Sequence, residues 1–355
     1  MKAPVKQGCF RGFLLIWAAS CIAGILPPAN ALAEDAPAAD TAAVEKGSDS
    51  RNWLPLGLQS FEPSAFGYQK NNDDVAFENI KISVKYPLFP RLITDLLGKN
   101  DRIYFAFTGA FDFYIGTRDS GPVVGKEYNP QLFWQHQLSC GSDSELFQSS
   151  RTYGGTLSNA GRPDFPCYFM VGYNHDSNGQ IIDTPEQYAQ TQRAQGTEAA
   201  NDAISRGWDY IGFTAKFVPR STDNYKISLY PQLKYFLSNG LLQGRAEELH
   251  YWETPSDGKP RKEVDGIGLL GKYQFHFRKC FDANDPCPIG DGKLAVRYGT
   301  GYQDPFKFST VRIEAGIQVF QLPIVFWTQK GYMSDLSQYY RNVKEYGVEI
   351  EIGAF

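Results

Sequence analysis

Ile103-Tyr104-Phe105-Ala106-Phe107-Thr108-Gly109-Ala110-Phe111-Asp112-Phe113-Tyr114-Ile115 is the stretch on which the fold turns. Phe105, Phe107, Phe111, Phe113 and Ile115 occupy alternate positions, with Tyr104, Thr108, Asp112 and Tyr114 between them. Side chains at i and i+2 share a face of a strand, whereas a helix would repeat its apolar residues at i, i+3 and i+4. The stretch therefore reads as one strand with an apolar face and a mostly polar face, long enough to cross a bilayer at a tilt.

Two more stretches repeat the pattern. Tyr225, Ile227, Leu229, Leu233 and Tyr235 oppose Lys226, Ser228, Gln232 and Lys234. Ile267, Leu269, Tyr273, Phe275 and Phe277 oppose Lys272, Gln274, His276 and Arg278. Similar segments lie at 62–69, 78–88, 130–139, 167–177, 208–218, 292–302, 309–320, 322–333 and 343–355, making twelve strands in all. Residues 242–252 lack the alternation and contain Arg245-Ala246-Glu247-Glu248, so they read as a loop. The expected fold is all-β, a twelve-stranded antiparallel transmembrane β-barrel. Its apolar band would face lipid, with long loops outside and short turns inside.

Composition agrees once patterning is considered. The 355 residues carry a net charge of −4 and include 25 Phe, 21 Tyr and 6 Trp. Mild acidity argues against a nucleic-acid partner, which calls for a basic stripe. A mean hydropathy of −0.37 argues against a bundle of membrane helices. It leaves a barrel open, because alternating strands average apolar with polar.

The ends of the chain point to export. Lys2, Lys6 and Arg11 precede an apolar run from Gly12 to Ile25, and Ala31-Leu32-Ala33 offers a small-residue cleavage site. Residues 1–33 read as a signal peptide, in preference to an anchor helix because Pro27-Pro28 breaks the run. Residues 34–60 begin with a stretch rich in Ala, Asp, Glu and Ser, read as a disordered acidic segment. The barrel domain is placed at 61–355. At its end Val348, Ile350 and Ile352 alternate with Glu349 and Glu351 before Phe355. That ending resembles the signal by which outer-membrane barrels meet their assembly machinery. Export favours disulfides, and pairs 140–167 and 280–287 are expected because each would staple one connection. A metal reading of Cys140, Cys167, Cys280 and Cys287 fails on spacing and on the lack of a neighbouring histidine.

Candidate chemistry sits where polar residues break the apolar face. Phe169, Val171, Tyr173, His175 and Ser177 share one face of their strand, and Asp209 shares one with Ile211, Phe213, Ala215 and Phe217. If these strands are neighbours joined by 178–206, all three polar groups meet on the outer rim. A base beside a nucleophile, steadied by a third group, is what nucleophilic catalysis requires. Polar groups on a lipid-facing wall are costly unless they pair or function. His136, His250 and His276 lack a serine at matching spacing or lie on the polar face or in a loop.

Tyr173-Asn174-His175-Asp176-Ser177-Asn178-Gly179, followed by Ser205-Arg206-Gly207-Trp208-Asp209, resembles the signature of the outer membrane phospholipase A family. Tyr128-Asn129-Pro130-Gln131-Leu132-Phe133 is similar to that family's entry into its fourth strand, and the stretch from Gly331-Tyr332 to its last loop. The resemblance spans most of 60–355 and implies the same twelve-stranded barrel. It also implies calcium-dependent hydrolysis of the acyl esters of membrane phospholipids, by a homodimer, in the outer membrane of a Gram-negative bacterium. Ser177 would be nucleophile, His175 general base, and Asp209 would stand where the family usually has Asn. The Gly179 amide and Ca2+ would stabilise the oxyanion. Calcium ligands carried over by the resemblance are the Gln180 carbonyl, the Ser205 hydroxyl and, from the partner's loop, Ser120.

Two departures stand out. An aspartate at 209 should orient His175 and stabilise its protonated form, keeping activity with an altered pH profile. The loop 180–204 is far longer than the resemblance implies, which puts Gln180 in question. Its Asp183, Glu186, Glu198 and Asp202 are alternative ligands, read in preference as a solvated acidic loop. Arg118-Asp119-Ser120-Gly121-Pro122 looks superficially like a protease nucleophile segment but lacks a matching histidine. The alternative readings are a non-catalytic outer-membrane pore or adhesin on the same scaffold, and a secreted soluble sandwich.

Overall fold

A computed structural model describes residues 58–72, 75–114, 123, 125–138, 167–222, 224–243, 260–275, 289–319, 322–333, 336–337 and 339–352. The expected signal peptide, Ser120, Cys140, Cys280, Cys287, His250, His276 and Phe355 lie outside these residues. Cys167 is disulfide-bonded, and its partner also falls outside them.

The strands are β1 (Gln59–Ser60), β2 (Ser64–Asn71), β3 (Ala76–Leu88), β4 (Asp101–Tyr114), β5 (Gly125–Leu138), β6 (Cys167–Ser177) and β7 (Gly207–Ser221). They continue as β8 (Tyr225–Phe236), β9 (Gly266–Phe275), β10 (Ile289–Gly301), β11 (Ser309–Val319), β12 (Leu322–Gly331) and β13 (Val343–Ile352). Each from β2 to β13 pairs antiparallel with its sequence neighbours, and β13 pairs with β2 to close the ring. The short β1 pairs with β3 at Lys85 and Val84, beyond the stretch of β3 that β2 covers. The wall is therefore a closed twelve-stranded antiparallel barrel, and every stretch read as a strand from the sequence contributes to it.

The alternation decides which face looks where. Phe66, Ile82, Phe105, Leu132, Ile211, Leu269, Ile313 and Phe326 are exposed on the outer wall. Between them, Thr108 and Asp112 on β4, Lys293 on β10, Glu314 on β11 and Glu345, Glu349 and Glu351 on β13 are buried inside. No helix among the described residues is long and apolar enough to cross a membrane; the strands are what cross it.

Ion pairs and buried aromatic residues occupy parts of the interior. Lys293 bonds Glu314 at 3.2 Å and also pairs with Glu351, while Arg312 reaches Glu314 and Glu349 at 2.8 Å each. Each of these buried charges thus has a partner of opposite sign, without which its burial would be costly. At the end holding residues 58–64 and 352, Phe61 stacks on Phe133 at 5.2 Å and Tyr104 on Phe133 at 5.4 Å. At the other end Trp208, Tyr210, Phe236, Val264, Tyr332, Leu336, Tyr339 and Tyr340 form one buried aromatic cluster.

Because strands alternate in direction, connection 178–206 and segments 237–243 and 260–265 lie at the end away from 58–64 and 352. Strand β5 ends and β6 begins at the opposite end. Helix α1 (Pro90–Leu97) joins β3 to β4 at that opposite end. Helices α2 (Pro185–Gln195) and α3 (Thr197–Asp202) sit within 178–206, and α4 (Arg261–Val264) leads into β9.

Candidate active site

Strands β6 and β7 are neighbours, and their register sets His175 directly across from Asp209 and Ser177 across from Gly207. His175 and Ser177 lie two residues apart, so both project from one face near the end of β6. His175 Nδ1 lies 2.6 Å from Asp209 Oδ1. A carboxylate only accepts, so Nδ1 carries the proton and Nε2 is left with its lone pair available as a base. Among the described residues no hydrogen bond joins Ser177 to His175. Such contacts are often long in a free enzyme and tighten once substrate is bound.

Asp209 is fully buried although its strand face looks outward. The cover is the segment Leu237–Gln243, which folds back from β8. Asp209 Oδ2 accepts N–H bonds from Leu242 at 2.7 Å and Gln243 at 3.1 Å, and a hydroxyl bond from Tyr173. Tyr173 in turn accepts the Leu241 N–H at 2.6 Å. The strap can come this close only because residue 240 is glycine: a Cβ there would lie 1.9 Å from Asp209 Oδ2. Tyr173 and the strap were not legible as site elements, since Tyr173 reads as one more aromatic on the apolar face.

The turn after Ser177 is fixed as firmly. Asn178 is fully buried; its Oδ1 accepts from the N–H of Arg206 at 2.8 Å and of Gln180 at 3.3 Å. Its Nδ2 donates to the Ile204 carbonyl at 2.8 Å. Gly179 follows at φ 56°, in the left-handed region that glycine enters without strain. A Cβ at 179 would also lie 3.0 Å from the Tyr128 ring. Gly179 is exposed at this turn.

The insert 180–204 is folded. Ile182 bridges Ile204, with Ile182 N–H donating to the Ala203 carbonyl at 2.9 Å and Ser205 N–H to the Ile182 carbonyl at 2.7 Å. Thr184 and Gln187 form a capping box at the start of α2. Asp183 and Glu186 are solvent-exposed, and Asp202 is buried at the end of α3. The clamp therefore holds Gln180 beside the segment carrying Ser205. Carbonyl and hydroxyl oxygens are the donor type a hard divalent cation takes, so the pair fits calcium chemistry. No cluster of three or more His, Cys, Asp or Glu fit for a metal occurs among the described residues. Ser120, the third expected ligand, lies outside them.

Behind the site, Asp176 points inward and pairs with Arg261 of α4 at 2.6 Å. Arg261 is fully buried, also bonds Asp265 at 3.1 Å, and lies over the Trp208 and Phe236 rings at 4.6 and 4.9 Å. Burial alone would raise the Asp265 carboxyl, but Lys234 and Arg261 outweigh it and hold it down to about 2. A second histidine–carboxylate pair, His136 Nδ1 with Asp101 Oδ1 at 2.8 Å, lies at the opposite end of the wall. There Trp134 Nε1 shares the same oxygen at 2.8 Å, and no serine lies two residues away on the strand.

No protein-family model and no curated protein sequence matches the chain. Solved structures do. The outer membrane phospholipase A of Escherichia coli aligns with a TM-score of 0.51 and 14% identity, over 83% of this chain and 98% of that one. The outer membrane phospholipase of Salmonella typhi, solved as a dimer with bound calcium, aligns with a TM-score of 0.52 and 14% identity, over 84% of this chain and 93% of that one. The likeness is one of fold. Together with the exposed apolar belt, it makes this chain a multi-pass β-barrel of a Gram-negative outer membrane.

Proposed function

We propose that the chain is a phospholipase A that hydrolyses acyl esters of membrane phospholipids at the outer rim of its own barrel. The observation that carries this reading is the buried Asp209 bonded to His175 on the outward face that also bears Ser177. A fully buried carboxylate under a dedicated cover, on a wall otherwise given to lipid contact, is hard to account for by stability alone.

In this reading the Ser177 hydroxyl attacks the ester carbonyl carbon while His175 Nε2 takes its proton. Asp209 holds the imidazole in the required tautomer and balances its positive charge. The oxyanion forms beside the Gly179 N–H. Collapse breaks the carbon–oxygen ester bond, and His175 returns the proton to the departing lysophospholipid alkoxide. Water, deprotonated by the same imidazole, then releases the fatty acid and restores Ser177. Calcium, held by the Gln180 carbonyl, the Ser205 hydroxyl and Ser120 of the partner subunit, would add positive charge at the oxyanion. That ligand set is supported by the sequence resemblance, and calcium dependence with a homodimer as the active form also by the calcium-bound dimer among the structural neighbours.

The pore reading is disfavoured by the buried ion pairs inside the barrel and the buried aromatic-rich clusters towards its two ends. The test is fatty-acid release from mixed phospholipid–detergent micelles with calcium or a chelator. Release is expected with calcium, and Ser177→Ala should abolish it. Turnover that survives Ser177→Ala overturns the assignment.

A further inference from the structure

The strap that covers Asp209 has a second side. Leu237-Ser238-Asn239-Gly240-Leu241-Leu242-Gln243 carries no charge. Its backbone amides face inward to Asp209 and Tyr173, so the leucine side chains are left to project outward. Leu241 is 88% exposed and Leu242 50%. On the loop leaving Ser177, Ile181 is 78% exposed. The wall next to the strap is the lipid-facing belt itself: Ile211 pairs with Tyr235, and Ile211, Leu233 and Tyr235 are all exposed. The three aliphatic side chains thus continue an established apolar surface beyond the strand ends. A soluble loop would present polar groups there, since uncompensated apolar exposure is unfavourable.

We propose that the strap is a lipid seat: Leu241 and Leu242, with Ile181, insert among phospholipid acyl chains at the rim of the membrane. The same backbone that is gripped by lipid then holds the carboxylate of the candidate base pair. The seat itself rests on exposure and continuity alone; its link to catalysis rests on the hydrolase reading above. The geometry of the strap gives that link a direct route, because Leu242 donates its amide to Asp209 while its side chain faces outward.

The experiment places a bimane label on Leu241→Cys, and separately on Ile181→Cys, in the full chain reconstituted in phosphatidylcholine vesicles. Correct folding of each is checked by its resistance to unfolding in cold detergent. Vesicles whose acyl chains carry bromine should quench both labels as strongly as a label on the belt residue Leu269→Cys. Emission characteristic of water, or blue-shifted emission insensitive to bromine because a second copy covers the strap, overturns the seat. Quenching in a chain that hydrolyses nothing would uphold the seat and remove the hydrolase reading, so the two fail separately.

Discussion

Asp209 shows at the residue scale why its identity matters. Its Oδ1 faces the His175 N–H, and its Oδ2 faces three further donors: the Tyr173 hydroxyl and the amides of Leu242 and Gln243. Only a carboxylate can accept on both sides. An asparagine would turn its NH2 toward either His175 or the strap and leave buried donors opposed. Asp209→Asn is therefore expected to lower kcat by about two orders of magnitude or more, measured as fatty-acid release from micelles. A variant within twofold of the parent, on the scale of that estimate, would contradict the role given to Oδ2. Tyr173→Phe removes one charge-assisted donor and should cost about tenfold to a hundredfold. Gly240→Ala should cost at least as much as Tyr173→Phe, because its Cβ has no room beside Asp209. The chemistry-bearing residues were legible because they interrupt an apolar face. Tyr173 and Asn178 stand inside the recognised signature, but their roles as donor to Asp209 and as clamp of the turn were not legible, and Gly240, a loop glycine, carries no signal until the chain closes around it.

At the scale of elements, strand existence was legible throughout, because period-two alternation is enforced by lipid on one side and water or ion pairs on the other. What alternation cannot encode is the fold of the connections. The insert 180–204 reads as a solvated acidic loop, yet it forms α2 and α3 and its two ends are bridged to each other through Ile182 and Ile204. Helix α4 is likewise invisible to periodicity, being one turn long, but it delivers Arg261 to the back of β6. Removing one partner of a buried ion pair strands the other, which costs about 3–5 kcal/mol. Arg261→Leu should therefore lower the urea midpoint measured by tryptophan fluorescence in vesicles; an unchanged midpoint would show that Asp176 is compensated otherwise. Asp265 adds a pH dependence of known sign. Its folded carboxyl is held at about 2, below its ordinary value of 3.8. Its contribution is present above that ordinary value and is lost as pH falls from there through about 2. Asp265→Asn should flatten the decline of rim stability across that window.

At the scale of the whole molecule, the proposed function makes the barrel a scaffold whose outer wall does the work. The interior carries buried ion pairs and buried aromatic-rich clusters, so reconstituted protein is expected to show no ion conductance in planar bilayers. Stable single-channel steps would revive the pore reading. Orientation follows from the even strand count, which puts residues 58–64 and 352 at one end and the His175–Asp209 pair at the other. In the proposed hydrolase, lipid would enter the site sideways, from the leaflet next to 178–206 and 237–243, and not through the lumen. The most direct test of this central claim is to treat the protein in vesicles with a sulfonyl fluoride bearing a long alkyl chain and to map the adduct by mass spectrometry. A single adduct on Ser177, lost in Ser177→Ala, is the predicted result; no adduct on Ser177, under conditions where the alkyl chain partitions into the vesicles, would contradict it.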